Sequence, residues 1–306
     1  MSTGVEEICG VVIVDKHEGV TSHDIVFKMR KLFGTKKVGH TGTLDPLATG
    51  VLPILIGRSA KASEYLSAED KGYIAEITLG ITTDTEDISG KILTKCDTLP
   101  TKSEFFKACE SFVGDIKQVP PMYSALKVNG KKLLDLAREG IEVERQARDI
   151  HIFSITPRVI DESRGVYEIS VECSKGTYIR TLCADIGAFL GCGATMSALR
   201  RTKSGNFTLE NAHTIEEIEQ MTHEERLSLL MPTEELFCDL EGVVLSDFYA
   251  RLCRSGCEIY QRKIGTAFKV GERVRICDQN GFFALGEVKS YPDGSAIKAI
   301  KTFNLE

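Results

Sequence analysis

In the stretch "KKVGHTGTLDPLATGVLPILIG", Lys36 to Gly57, one carboxylate, Asp45, stands among threonines, glycines and a proline, and an apolar run follows. A carboxylate can act as a nucleophile, a general base or a metal ligand. A hard metal ion collects several oxygen ligands, and the companions here, His40, Thr41 and Thr43, make a thin set. Glycoside hydrolysis uses a second carboxylate, which this stretch lacks. A lone acid with an ordinary pKa of about 4 is ionised at neutral pH and needs no base to activate it as a nucleophile. A structural reading stands beside this one. Asp-Pro starts helices, with Asp45 as N-cap and Pro46 at the first helical position, and Gly39, Gly42 and Gly50 then permit tight turns. Residue types alone leave the two readings open.

Basic residues form three clusters: Lys28, Arg30, Lys31, Lys36 and Lys37; Lys127, Lys131 and Lys132; and Arg200, Arg201 and Lys203. Each is a solvated face or a set of phosphate contacts. The net charge of −6 argues against a protein that coats nucleic acid but permits a local basic face, because charges act over short screened distances. Apolar content of 42% and charged content of 27% are those of a soluble globular protein. No apolar run reaches membrane-spanning length, and "MSTGVEEICG" shows no basic segment followed by an apolar one, so no secretory signal is expected. Ten cysteines, none in CxxC or zinc spacing, are expected as buried free thiols in a reducing cytoplasm. No phosphate-binding or dinucleotide motif occurs, so no cofactor is expected, and no metal.

The elements that must position these residues follow from periodicity. "GVVIVDK", Gly10 to Lys16, predicts a central strand buried on both faces. Thr21 and Asp24 form a capping box ahead of a helix with Ile25, Val26, Met29, Leu32 and Phe33 on one stripe and Gly34 as its stop. In "GYIAEITLG" Tyr73, Ala75, Ile77 and Leu79 alternate with Ile74, Glu76 and Thr78, which predicts a strand. A second capped helix is predicted from Thr101 to Gly114. "VYEISVECSKGTYIRTL" predicts one long alternating strand carrying both Tyr178 and Arg180 on the same face. "TLCADIGAFLG" then predicts a helix, and another covers Thr214 to Leu230. After about Leu240, Asn280-Gly281 and Asp293-Gly294 mark hairpins of a small β module, joined through Met231 to Leu240. The expected class is α+β: a mixed, largely antiparallel sheet with flanking helices in residues 1–240, and a small β domain in 241–306.

"VGHTGTLDPLATGVLPI" resembles the catalytic loop of the TruB family of pseudouridine synthases. "VIVDKHEGVTSHDIV", "KGYIAEITLGITTDTEDISG", "QVPPMYSALKVNGKKLLDLAREG", "SKGTYIRTLCADIG" and "ALRRTKSGNF" resemble its other blocks, in its order, over roughly the first 240 residues. The match is nearest to the bacterial, tRNA-acting members. It implies isomerisation of uridine 55 in the tRNA T-loop. The N1–C1′ bond breaks, the base turns while held, and C5 bonds to C1′. The resemblance makes Asp45 the catalytic aspartate. Tyr73 is the tyrosine that stacks on the base and moves a proton, and Arg180 is the arginine that pairs with the aspartate and keeps it ionised. Tyr178 lines the pocket, and His40 fills the space of the flipped base. Residues 122–148 match an insertion that clasps the RNA loop, with Lys127, Lys131 and Lys132 on phosphates. Arg201 belongs with the expected RNA-binding set. The C-terminal module resembles a PUA-like domain. Lys16 and Asp24 fall in the first block and read as structural. Where the family usually has Lys-Pro, this chain has Lys16-His17, which leaves the rigidity of that turn open.

Base flipping suits a uracil that cannot be reached inside a stem-loop. The expected partner is the tRNA T-stem-loop, without membrane or guide RNA, and the chain is expected to be a monomer. A second reading is a tRNA-binding protein that refolds its ligand and whose catalysis is dispensable. A third is a guide-dependent synthase, disfavoured because long basic tails are lacking.

Overall fold

The computed structural model describes residues 8–66, 70–128 and 130–303. The N-terminal "MSTGVEE" and Asn129 of the expected Asn129-Gly130 turn lie outside the described residues, and so does the Lys132 side chain. No helix among the described residues is long and apolar enough to cross a membrane.

The apolar run of β1 (Gly10–Lys16) places it inside a ten-stranded sheet, as its composition predicts. It pairs antiparallel with β3 (Thr49–Ile56) and parallel with β14 (Ala212–Thr214). β2 (Val38–His40) edges β3. Beyond β3 follow β12 (Ala194–Ser204), β4 (Lys71–Leu79), β11 (Val166–Cys173), β10 (Arg148–Asp161) and β7 (Gly114–Gln118). β13 (Phe207–Thr208) hairpins onto β12. The β3–β12 pairing is parallel and short, Arg200 opposite Thr49 and Arg201 opposite Gly50, whereas β12–β4 is a long antiparallel ladder with Arg201 opposite Tyr73. β4 buries Tyr73, Ala75, Ile77 and Leu79, the predicted face. A two-stranded ribbon, β5 (Ile81–Thr83) and β6 (Ile92–Lys95), continues from β4.

Helix α1 (Ser22–Leu32) starts at the predicted box. Thr21 Oγ1 accepts from Asp24 N at 3.1 Å, and the Asp24 carboxylate accepts from Thr21 N at 2.8 Å. Ile25, Val26 and Met29 pack on the sheet. A short α2 (Ser63–Leu66) precedes β4. α3 (Lys102–Ser111) has the Thr101–Glu104 box but stops before the predicted Gly114, because Gly114, at φ +106, already opens β7.

The predicted long strand through Tyr178 and Arg180 breaks. β11 ends at Cys173, Gly176 turns the chain at φ +80, and α5 (Ile179–Phe189) begins after Tyr178. The Gln118 side chain satisfies both Tyr178 backbone groups, donating Nε2 to the carbonyl at 3.1 Å and accepting from N at 2.8 Å. It replaces a ladder partner there. The predicted helix from Thr214 to Leu230 is two, α6 (Ile215–Gln220) and α7 (His223–Ser228), because Thr222 and Glu225 form a second capping box. Between β7 and β10 lie the hairpin β8 (Lys127–Val128) and β9 (Lys131–Lys132), then α4 (Leu133–Arg138).

The C-terminal sheet runs β15 (Gly242–Val244), β17 (Arg273–Asp278), β18 (Gly281–Tyr291), β19 (Gly294–Thr302) and β16 (Ile259–Tyr260). Both predicted hairpins are present. Helices α8 (Asp247–Arg254) and α9 (Gln261–Ile264), not read from the sequence, flank it. The segment read as a connection is packed. Met231 exchanges both backbone bonds with Val11 at 2.9 Å, and Leu236 and Phe237 join Val11, Ile13, Leu55, Leu285 and Phe303 in one apolar cluster.

Candidate active site

Asp45 does not start a helix. Its carbonyl accepts from Ala48 N at 3.0 Å, closing a turn with Pro46 at its second position, and β3 begins at Thr49, which leaves no room for helical turns. The loop is tied to the β1–α1 turn. Ser22 Oγ accepts from Leu44 N at 2.8 Å and lies 3.0 Å from Leu44 O. Gly19 N donates to Pro46 O at 2.9 Å. Lys16, fully buried, donates Nζ to His17 O at 2.9 Å, Val20 O at 2.8 Å and Pro46 O at 3.3 Å. Burial pulls its pKa down to about 8, against the nearby Asp45 carboxylate, which raises it. This carbonyl cage holds the turn where the family's proline is missing. Gly50 sits at φ +101, and a Cβ there would lie 2.1 Å from the Arg201 carbonyl oxygen, so only glycine lets β3 approach β12 this closely.

The helical start at Ile179 brings Arg180 under the loop. Its Nε lies 3.0 Å from Asp45 Oδ2, and its Nη1 lies 3.5 Å from Asp87 Oδ2. Nη1 also donates to Thr85 O at 3.1 Å and Nη2 to Tyr123 O at 2.9 Å. The guanidinium is nearly sealed, at 5% exposure. Asp87 is fixed in turn by Thr85 Oγ1 at 2.8 Å and Ser89 N at 3.0 Å. Its neighbour Glu86 holds a left-handed φ of 64°, an uncommon and strained setting for a side-chain-bearing residue.

Asp45 keeps 38% of its side-chain surface open, although protein surrounds it on its other sides. Burial pushes its pKa above the ordinary carboxylate range. Arg180 and Lys16 oppose the shift, and Asp87 adds to it. Arg180 thus favours the carboxylate form, as expected of it, while desolvation works against that form and sets the direction of the shift.

Tyr73 projects from β4 at 8% exposure. Burial raises its pKa, while the Arg201 guanidinium facing its hydroxyl lowers it. Arg201 was expected on a basic RNA-facing surface. It is 1% exposed, with Nε donating to Val51 O at 2.7 Å and Nη2 to Gly42 O at 3.2 Å. It lies beneath the site, because β12 alternation turns Leu199 and Arg201 inward and leaves Arg200 to pair with Asp15 at 2.7 Å. His40 ends β2. Its Nδ1 is buried without a hydrogen-bond partner among the described residues, and burial, then Arg201, hold the imidazole below its ordinary pKa. Tyr178 is half-buried at the start of α5, and burial raises its pKa. Lys127 and Lys131 are exposed on the β8–β9 hairpin.

Residues 30–179 match the model of the TruB family pseudouridylate synthase N-terminal domain, and residues 180–237 that of the tRNA pseudouridylate synthase B C-terminal domain. The chain is 42% identical over 279 residues to the tRNA pseudouridine synthase B of Clostridium tetani, covering 91% of this chain and 95% of that one. It is 43% identical to that of Alkaliphilus oremlandii, covering 92% and 93%. The chain belongs to the TruB family of pseudouridine synthases. TruB enzymes isomerise uridine to pseudouridine in tRNA. A crystal structure of a Cbf5-Nop10-Gar1 complex is similar in fold, with a TM-score of 0.74 at 26% identity over 96% of this chain and 85% of that one. The two TruB segments meet at this site: Asp45, Tyr73 and Asp87 lie in the first and Arg180 in the second. Asp87 was not singled out from the sequence. Its signal is the Thr85, Asp87, Ser89 spacing, which any side-chain-closed turn shares.

Proposed function

We propose that this chain isomerises uridine 55 in the T-loop of tRNA, on the bare RNA and without a guide. Asp45 is the catalytic aspartate and acts as its carboxylate. Arg180 aims it, Tyr73 stacks on the extruded base and moves a proton, and Tyr178 and His40 line the pocket. What carries the reading is the pair of Asp45 and Arg180, with the acid open on one side and the guanidinium sealed on all others. Such an acid is held in place yet free to meet a ligand.

The chemistry runs inside the substrate. The N1–C1′ bond breaks, the base turns, C5–C1′ forms, and the hydrogen on C5 leaves. The exposed Lys127 and Lys131, with Lys132, meet phosphates from the insertion at 122–148. We propose residues 1–240 as the catalytic unit and 241–306 as a PUA-like unit that extends the RNA contact. The protein acts as a cytoplasmic monomer, in keeping with ten unpaired cysteines.

The test is release of tritium from C5 of labelled uridine in a tRNA transcript. Release with wild-type protein and none with Asp45→Ala supports the reading. Tight tRNA binding without release would instead favour a folding chaperone.

A further inference from the structure

Arg201 is the largest fully buried side chain among the described residues, at 1% exposure. A buried guanidinium is costly unless its charge is answered. Two answers are carbonyl oxygens, of Val51 and Gly42. No acidic side chain forms an ion pair with it among the described residues, and the one group that favours its charge is the Tyr73 hydroxyl. The contact follows from topology. Tyr73 and Arg201 are direct partners in the β4–β12 ladder, where side chains on one face meet. Two of the titratable groups nearby, His40 and Lys16, feel Arg201 as a repelling charge. Among the described residues, the acidic group that faces this cation is thus a phenol.

We propose that Arg201 is the positioning residue for Tyr73: it aims the hydroxyl at the base beside Asp45 and stabilises negative charge on its oxygen while a proton moves. The proposal rests on the reading of Tyr73 as a proton-moving group. Once C5–C1′ has formed, C5 carries a hydrogen that must leave. Its bonding electron pair returns to the ring, the proton passes to the tyrosine oxygen, and N1 takes a proton from solvent, so composition is unchanged. The Tyr73 hydroxyl first gives its own proton to solvent and is restored when it takes the C5 proton, and a fixed guanidinium in a dry site stabilises the negative oxygen between these two transfers. Arg201 also fixes this oxygen relative to Asp45, because the same guanidinium holds Gly42 and Val51 on either side of the acid's turn.

A plain strut between β3 and β12 would show the same carbonyl bonds, and a double-mutant cycle separates the two. Single-turnover isomerisation at saturating tRNA is measured for wild type, Arg201→Gln, Tyr73→Phe and the double variant, with tRNA affinity and thermal melting alongside. Arg201→Gln is expected to slow the wild-type background about tenfold or more and the Tyr73→Phe background less than about twofold, at affinities within a few-fold. Arg201→Lys keeps the charge and recovers part of the rate. Equal losses in both backgrounds overturn the proposal in favour of the strut. If Arg201→Gln does not fold, the same cycle is run with Arg201→Lys, and equal losses there overturn it too. A wild-type rate in Tyr73→Phe alone marks failure of the underlying reading instead.

Discussion

Asp45 and Asp87 meet on one guanidinium: Arg180 Nε is 3.0 Å from the first, and its Nη1 is 3.5 Å from the second. One of these acids faces the opening with 38% of its side chain exposed, and the other keeps 7%. The pair divides the work, Asp87 holding the cation that holds Asp45.

Asp45→Asn and Asp45→Ala should abolish isomerisation and leave tRNA affinity within a few-fold, because phosphate contacts carry most affinity. The pH dependence has a sign. Burial raises the Asp45 pKa, so the carboxylate form is lost as pH falls through a value above the ordinary one. The single-turnover rate at saturating tRNA should therefore drop on the acid side at a higher pH than an ordinary aspartate allows. A limb at the ordinary value would mean that the reacting group is not this acid.

Asp87→Ala leaves Arg180 with one carboxylate instead of two and frees the guanidinium to shift off the Asp45 axis. Turnover should fall by about tenfold or more, since small misplacements of a catalytic group are costly, while tRNA affinity holds. Asp87→Asn removes a like charge and should move the acid limb of the pH profile downward. An unmoved limb with a normal rate would separate Asp87 from the chemistry.

Tyr73→Phe keeps the ring and removes the hydroxyl. Turnover should fall by about a hundredfold, in the range of general acid–base groups, at nearly constant affinity. An unchanged rate would reduce Tyr73 to a stacking platform.

Lys127 and Lys131 stand exposed on the insertion hairpin. Changing both to Ala should weaken tRNA binding and shallow the dependence of log affinity on log salt by up to about two phosphate equivalents. Chemistry at saturating RNA should stay near wild type. Parallel lines across several salt concentrations would make these lysines a solvated face.

Much of the fold was legible where local chemistry decides it. β1, the alternation of β4, the boxes at Thr21 and Thr101 and the two C-terminal hairpins follow from periodicity and capping. The break before α5 was not, since Tyr178 and Arg180 share a parity that suits a strand and the side chain that ties off Tyr178 comes from the distant Gln118. The Asp45–Arg180 pair came from resemblance, because no local pattern links residues so far apart in the chain. Asp87 hid in an ordinary turn. Arg201 was misplaced because a run of basic residues suggests a surface, although its parity with Leu199 on β12 points inward.

The bond from Arg180 Nη2 to the Tyr123 carbonyl constrains how this enzyme can diverge. It reads the chain path at position 123 rather than the side chain, so residue identity there is free while the course of the backbone is not. Changes of length beyond Tyr123, out toward the hairpin tip, leave that bond in place. Closer to its root, any change in length pulls on the arginine that sets the acid. A lineage could thus reshape the hairpin without disturbing the Asp45–Arg180 pair, provided that every change is made at the far end.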